Sequence, residues 1–267
     1  MAVPGKARHE EYAMRENTVK TKIASGEPAF GIWLEAPSPN RIELYGRLGF
    51  EFVIIDSEHR AITDEACVDL VRACDVVGVV PIVRPHDHRL STINSFLETG
   101  AMGVYVPHVD TAEQARAIVS AVKYAPVGHR GAGSGNRTSN YGLTQPSSEY
   151  YESANRETMI ILLVEDVIGV NNLDEILTVE GVDCVCIGPG DLSHSMGHVG
   201  DRDHPEVAQT VRDAEAKIAA SGRAFDCEPK SAADARDGIA RGARLILFFE
   251  GPMLSQLFRG ALEGARS

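Results

Sequence analysis

The sequence lacks the long apolar runs and the excess positive charge that two classes of protein require. No window approaches the roughly 18 consecutive apolar residues of a membrane span, and the first 20 residues, MAVPGKARHEEYAMRENTVK, contain no apolar core of the kind found in signal peptides. The net charge is −12, from 38 acids and 26 bases, which argues against nucleic acid and anionic membranes as partners. We therefore expect a soluble, cytoplasmic protein.

Cysteine is scarce and shows no metal-binding or redox motif. The five cysteines form no Cys-x-x-Cys pair, and they lie at Cys67, Cys74, Cys184, Cys186 and Cys227. In a chain of 267 residues with an odd number of cysteines, we expect reduced, buried thiols. A zinc site is the alternative.

Eight short apolar runs rich in Val, Ile, Phe and Cys predict eight strands, over residues 29–34, 52–56, 79–84, 103–107, 159–165, 183–188, 223–227 and 245–249. They are almost continuously apolar, which is typical of parallel strands covered on both faces. Amphipathic helical patterns separate them, with cap residues such as Thr63 at the start and Gly49 at the end. Eight such alternations predict a single α/β domain, a (β/α)8 TIM barrel. A doubly wound open sheet is the alternative, but EAPSPN follows the first strand where a glycine-rich nucleotide turn would be expected.

One segment interrupts the alternation. Residues 125–158 are rich in Gly, Ser and Asn, and we interpret them as a loop before the fifth strand. A loop of this length in a compact domain is usually functional.

Charged residues collect where the predicted strands end. The second strand closes with Asp56, Glu58 and His59, the third with Arg84, the fifth with Glu165, and the sixth runs into GPGDLS, which carries Asp191. A parallel barrel has its active site at the carboxyl ends of its strands. These side chains are therefore expected to meet in one site.

The chemistry of this set favours enolisation of a 2-oxo acid. Glu165 and Asp191 can hold a hard divalent ion such as Mg²⁺ or Mn²⁺, Arg84 can clamp a carboxylate or stabilise an enolate oxygen, and His59 can move protons near neutral pH. Three of these residues also have a structural alternative: His59 as a surface histidine, Arg84 as an ion pair that closes the barrel, Asp191 as the N-cap of a short helix.

Lysine is too rare, and too poorly placed, for a Schiff-base mechanism. Such aldolases need a lysine in the mouth of the barrel. None of the six lysines lies on a predicted strand, and Lys230, in DCEPKS, is the only one directly after a strand end.

Several motifs in order resemble the HpcH/HpaI family of metal-dependent pyruvate aldolases, the 2,4-dihydroxyhept-2-ene-1,7-dioate or 2-keto-3-deoxy sugar acid aldolase type. They include FVIIDSEHR, VPIVRP, LLVEDVIGVNNLDEIL and GVDCVCIGPGDLSHSMG, and the resemblance covers roughly residues 29–250. It implies a barrel of the phosphoenolpyruvate/pyruvate type and a divalent metal (Mg, Mn or Co). It also implies reversible cleavage of a 4-hydroxy-2-oxo acid to pyruvate and an aldehyde, in aromatic or sugar acid catabolism.

The resemblance also assigns roles to individual residues. Glu165 and Asp191 match the metal ligands, Arg84 the arginine that binds the pyruvate oxygens, and His59 the histidine associated with proton transfer. Further matches are Gly188, Pro189 and Gly190 in the turn that holds the pyruvate carboxylate, Trp33 as an aromatic lining the pocket, and Glu98 as the acid that partners the histidine, often from a neighbouring subunit. Leu163 stands where some members have a glutamine, so polar contacts there are not carried over.

We expect an N-terminal extension over residues 1–28, a barrel over 29–251 and a C-terminal helix over 252–267 that is exchanged between subunits. The resemblance implies a homo-oligomer, with a hexamer favoured. The alternatives to the aldolase are a related barrel lyase acting on oxaloacetate or a thioester, and a catalytically silent barrel that binds an oxo acid. The sequence does not name the aldehyde.

Overall fold

The computed structural model describes residues 15–133 and 135–266 and shows a nearly closed barrel of eight parallel strands. The strands are β1 (Ala29–Leu34), β2 (Phe52–Asp56), β3 (Val80–Arg84), β4 (Gly103–Val106), β5 (Met159–Val164), β6 (Cys184–Ile187), β7 (Asp226–Cys227) and β8 (Leu245–Phe249). Their order is β6-β5-β4-β3-β2-β1-β8-β7, and a bridge between Cys184 and Ala224 joins the two ends. The predicted (β/α)8 barrel is confirmed.

The predicted strands are found, with the largest difference at β7. We expected residues 223–227, and the structure has a strand only at Asp226–Cys227. Ala224 pairs through the isolated bridge alone, so the barrel is least tightly hydrogen-bonded between β6 and β7.

Twelve α-helices and one 3-10 helix (Arg137–Gly142) connect the strands in the described residues. The α-helices are α1 (Thr18–Ala24), α2 (Pro39–Leu48), α3 (Asp64–Val77), α4 (Leu90–Glu98), α5 (Ala112–Val122), α6 (Ser147–Glu157), α7 (Val167–Asn171), α8 (Leu173–Ile176), α9 (Pro189–Ser195), α10 (Pro205–Ala220), α11 (Ala232–Arg241) and α12 (Glu250–Arg266). No helix in this part of the chain is both long and apolar enough to cross a membrane. The predicted caps form: the Thr63 side chain accepts a hydrogen bond from the Ala66 N–H at 3.2 Å, and Gly49 ends α2 at φ 97°, a conformation that glycine adopts without strain.

The strands are buried on both faces, as their apolar sequences predict. Alternate residues such as Ile54 and Ile82 fill the inside of the barrel, whereas Val53 and Ile55 pack outward against the helices. All five cysteines are buried and unpaired. Because side chains fill the interior, the open space lies at a barrel end.

The amino end of the barrel is covered by α1. Val19 and Ile23 join the interior core, and the buried Asn17 amide donates to the main-chain oxygens of Met102 and Glu157, both at 3.0 Å. Helix α1 falls within the predicted extension 1–28, of which residues 1–14 lie outside the described residues.

The prediction of a continuous loop over 125–158 is wrong in its last third, which forms α6. The helix has few apolar residues, but Tyr150 and Ala154 lie one turn apart and are buried against Tyr124. Tyr151 packs beside them, with its ring centroid 4.5 Å from that of Tyr124. In α6, packing of tyrosine rings therefore takes the place of the aliphatic stripe by which an amphipathic helix is usually recognised.

Candidate active site

A cavity of about 410 Å³ opens at the carboxyl ends of the strands. Of the nine predicted site residues, eight line it: Trp33, His59, Arg84, Glu165, Gly188, Pro189, Gly190 and Asp191. They come from β1, β2, β3, β5 and β6 or directly follow those strands. The parallel arrangement thus assembles a site from distant parts of the sequence.

A buried ion pair anchors the wall formed by β2 and β3. These strands pair with Asp56 opposite Arg84, and the guanidinium donates to both carboxylate oxygens, at 2.9 and 2.7 Å. The Trp33 indole N–H also donates to Asp56, at 3.2 Å, while the Arg84 Cζ atom lies 4.5 Å from the centroid of the Trp33 ring. Burial alone would raise the pKa of Asp56, but the hydrogen bonds and charge of Arg84 outweigh it and hold that pKa below its usual value.

Asp56 also shapes the turn that carries His59. Its Oδ1 atom accepts hydrogen bonds from the main-chain N–H groups of Glu58 and His59, at 3.0 and 3.2 Å. The His59 side chain itself is 55% exposed and lines the cavity. The charged residues after β2 therefore form a turn that is stabilised by hydrogen bonds to Asp56. This turn places the His59 side chain at the cavity.

Glu165 is a buried carboxylate in an unfavourable electrostatic position. It follows β5, is only 5% exposed, and lies near Asp191 in the first turn of α9. Burial, together with the charges of Asp191 and Glu58, raises its pKa to about 7. A cation between two such oxygen donors would relieve this cost, so the pair fits a hard divalent ion.

The turn after β6 approaches Glu165 closely. A Cβ atom on Gly188 would lie 2.8 Å from the Glu165 Cβ and 2.9 Å from its Oε2 atom. Pro189 and Gly190 then begin α9, whose first-turn amides have no acceptor within the helix. Glycine at position 188 is therefore required for the carboxylate to stand where it does.

The structure does not bring Glu98 to the cavity of its own chain. Glu98 is the last residue of α4, which runs back toward the amino ends of the strands. Its carboxylate accepts a hydrogen bond from Arg130 at 2.8 Å and contacts the Asn136 amide. It is therefore not a partner of His59 within one chain, and its role across a subunit boundary stays a prediction.

Sequence reasoning missed several residues of the site. The His108 main-chain N–H donates to Glu165 Oε1 at 2.9 Å, and its ring lies 2.9 Å from Glu58. Its position in VYVPH, directly after the fourth strand, was the available signal.

Asp226 was not predicted either, since it lies inside a predicted strand rather than after it, and it contacts a residue of the cavity wall without lining the cavity itself. It accepts a hydrogen bond from the Tyr105 hydroxyl at 3.1 Å, and Tyr105 lines the cavity. Burial, with the charge of Glu228, raises the pKa of Asp226 to about 7.

Another group of metal-type donors lies outside the cavity. His198, His204 and Glu206 come together beside the start of α10. The two imidazoles stack at an interplanar angle of 15°, with centroids 3.6 Å apart, so their nitrogen lone pairs do not converge on one point. His198 instead pairs with Glu206 at 2.9 Å. Glu165 and Asp191, which line the cavity, stay the predicted metal ligands.

The chain is similar to known aldolases over most of its length. The sequence model of the family described as HpcH/HpaI aldolase/citrate lyase matches residues 29–246. A 2-keto-3-deoxy-L-rhamnonate aldolase from Klebsiella pneumoniae subsp. pneumoniae is 35% identical over 235 residues, 88% of this chain and 87% of that protein. A hydroxypyruvate/pyruvate aldolase from Deinococcus radiodurans is 38% identical over 230 residues, 86% of this chain and 82% of that protein.

A solved structure agrees with these sequence matches. The crystal structure of an HpcH/HpaI aldolase/citrate lyase family protein from Burkholderia cenocepacia superimposes with a TM-score of 0.87 at 28% identity, covering 94% of this chain and all of the other.

Proposed function

The chain belongs to the HpcH/HpaI aldolase/citrate lyase family, and from this we propose that it is a divalent-metal-dependent aldolase. The reaction is the reversible cleavage of a 4-hydroxy-2-oxo acid to pyruvate and an aldehyde. The observation that carries the proposal is the buried Glu165 carboxylate, which lies near Asp191 and lines the same cavity as Arg84 and His59.

Glu165 and Asp191 are the proposed metal ligands. A divalent cation held there would polarise the oxygens of the 2-oxo acid and acidify the neighbouring carbon. Two carboxylates suit Mg²⁺, Mn²⁺ or Co²⁺. The elevated pKa of Glu165 is consistent with this assignment, because a cation beside two neighbouring acids would stabilise the buried carboxylate in place of a proton.

Arg84 is the proposed substrate-binding and enolate-stabilising residue. It is fixed by Asp56 on one side and by the Trp33 ring on another, so its orientation does not have to be established when substrate binds. Its positive charge would hold the oxygens of the pyruvate half and stabilise the charge that develops on the enolate. The turn of Gly188, Pro189 and Gly190 would receive the carboxylate of that half.

His59 is the proposed proton carrier. In the cleavage direction it would accept, through a water molecule, the proton of the C4 hydroxyl group. The C3–C4 bond then breaks, its electron pair stays with the pyruvate half as the enolate, and C4 becomes the aldehyde carbon. Protonation of C3 completes pyruvate, and the reverse sequence is the aldol addition.

The acceptor side of the cavity is polar and open. Arg60 and Arg202 both line it and both are at least one-third exposed, paired with Glu35 at 3.7 Å and Glu228 at 2.8 Å. The named relatives act on a keto-deoxy sugar acid and on hydroxypyruvate and pyruvate. Sugar-derived and short hydroxylated aldehydes are therefore the first acceptors to test.

We further propose a cytoplasmic homo-oligomer, with a hexamer favoured, in which α12 is exchanged between subunits. Helix α12 exposes large apolar side chains, among them Leu257 and Phe258. The boundaries at residues 28 and 251 are part of this proposal, since they separate the barrel from the segments assigned to its ends.

The experiment that tests the function measures both products. Purified enzyme is incubated with a panel of 4-hydroxy-2-oxo acids, and pyruvate and aldehyde are quantified separately. An aldolase releases them in equal amounts. Pyruvate without aldehyde from oxaloacetate would indicate decarboxylation, cleavage only of a thioester would indicate the citrate lyase type of reaction, and oxo-acid binding without any product would indicate a silent barrel.

A further inference from the structure

His108 adopts a backbone conformation that is unusual for its residue type. It directly follows Pro107 at the end of β4, with φ at 56°. Residues with a Cβ atom rarely occupy this left-handed region, and where one does the surrounding structure must enforce it. The contacts of His108 indicate what this conformation achieves.

Two groups of His108 converge on a single oxygen of Glu165. The main-chain N–H lies 2.9 Å from Oε1, and the ring Nδ1 lies 3.1 Å from the same atom. The other oxygen, Oε2, stands beside Gly188. The left-handed turn therefore fixes the rotation of the carboxylate, so that one oxygen is held and the other is presented to the cavity.

The far side of the His108 ring reaches a second acid. Nε2 lies 2.9 Å from Glu58 Oε1, and the other oxygen of Glu58 lies 3.2 Å from Arg84 Nη1. The Glu58 side chain is largely buried. A continuous series of contacts thus runs from Glu165 through His108 and Glu58 to Arg84.

We infer that His108 is a positioning residue that orients Glu165 for a divalent cation and links it to the arginine that binds the 2-oxo acid. The inference rests on the proposed function, because it takes Glu165 as a metal ligand. His108 contacts Glu165 and Glu58, and the inference assigns it no direct contact with the cation or the substrate. Groups that orient a metal ligand typically change metal affinity 10- to 100-fold when removed.

The first test is metal affinity in a His108→Gly variant. Glycine adopts the left-handed conformation without strain and keeps the main-chain N–H, so the change removes only the ring contacts. Mn²⁺ is titrated into EDTA-treated protein, and the unbound ion is measured by electron paramagnetic resonance. We expect Mn²⁺ to bind about 10- to 100-fold more weakly, while the thermal unfolding temperature does not fall.

Two further variants separate positioning from general stability. His108→Asn tolerates the same backbone conformation but cannot span both acids, so its affinity should lie between those of the wild type and His108→Gly. The matched control is His129→Gln, which alters an exposed histidine bonded to Ser120 and should leave Mn²⁺ affinity unchanged.

The link to Arg84 is tested by combining His108→Gly with Glu58→Gln. If both act through one series of contacts, the double variant raises the KM for the 2-oxo acid no more than the larger of the single changes does. Increases that multiply would overturn the link.

Mn²⁺ affinity in His108→Gly within twofold of the wild type would overturn the positioning role. Absence of Mn²⁺ binding in the wild type would be a different result, since it would overturn the proposed function and the inference together. The two failures are therefore distinguishable in one titration series.

Discussion

At the scale of single residues, the Asp56–Arg84 ion pair has a structural role and also holds the arginine that is proposed to bind substrate. Two strands pair so that the acid and the base face each other, and both are almost fully buried. Such a pair contributes little net stability when intact, but removing one partner leaves an uncompensated buried charge. Arg84, the proposed substrate-binding residue, is for this reason also needed for the stability of the fold.

We predict that Arg84→Met lowers the free energy of unfolding by about 3–5 kcal/mol, measured by urea denaturation. Arg84→Lys retains a positive charge beside Asp56 and should cost less stability. It loses the paired hydrogen bonds, however, and should still raise the KM for the 2-oxo acid. An Arg84→Met protein as stable as the wild type would show that the pair is more hydrated than the structure indicates.

Glu165 predicts a pH dependence of metal binding. Burial raises its pKa from 4.5 to about 7, so in the metal-free protein a proton occupies the carboxyl group below neutral pH. Because the cation needs the carboxylate, proton and cation compete. Mn²⁺ affinity should be nearly constant above pH 7.5 and fall about tenfold per pH unit well below pH 7.

The measurement is a series of Mn²⁺ titrations between pH 5.5 and 8.5. The control is Glu165→Gln, which should bind weakly and lose most of the pH dependence in this window. Wild-type affinity that stays constant from pH 8 to pH 6 would contradict the assignment of Glu165 as a ligand.

At the scale of elements, the turn after β6 should tolerate no side chain. Gly188→Ala is allowed by the backbone, which has φ −87° and ψ 93°, but its Cβ would collide with Glu165. We predict at least tenfold weaker Mn²⁺ binding, with the barrel still folded by circular dichroism. Gly131→Ala is the matched control, because a Cβ there meets nothing within 4 Å. Equal affinity in both variants would mean that Glu165 can move without loss.

The positions of strands and helices could be predicted from the sequence where burial restricts the side chains to apolar types. Strands such as β2 are covered on both faces, so every side chain is apolar until the strand ends at Asp56. Helix α6 could not be predicted in this way, because tyrosines and one alanine supply its buried face.

The sequence predicted those residues of the candidate site that end a strand or closely follow one. His59, Arg84, Glu165 and Asp191 follow or end strands, and the barrel brings them to one cavity. Glu98 was assigned by resemblance, and its place at the end of α4 follows from helix direction. The position of His108 directly after the fourth strand was visible in the sequence, but its contacts with Glu165 depend on a left-handed backbone angle that was not predicted.

At the scale of the whole molecule, the exposed apolar side chains of α12 are not accounted for by the fold of a single chain. Its apolar side chains Met253, Leu257, Phe258 and Leu262 are all at least 45% exposed, and their spacing distributes them over about half of the circumference of the helix, as one broad apolar face. Burial of one such side chain contributes about 1.5–3 kcal/mol. A second copy of the chain is the partner that we propose for this face.

We predict that Leu257→Glu combined with Phe258→Glu lowers the assembly mass measured by light scattering after size-exclusion chromatography. The control is Gln256→Glu, which adds a charge to an exposed polar position of the same helix. Unchanged mass in the double variant would contradict the exchange of α12.

The central claim is that the buried acid at the end of β5 serves metal-dependent enolate chemistry, and pyruvate release tests it most directly. The enzyme is incubated with 4-hydroxy-2-oxo acids before and after EDTA treatment, and then with Mg²⁺, Mn²⁺ or Co²⁺ added back. We predict that pyruvate formation stops in EDTA and returns with the metal. Undiminished turnover in EDTA would contradict the roles of Glu165 and Asp191 and would direct attention to Lys230, the lysine that follows β7.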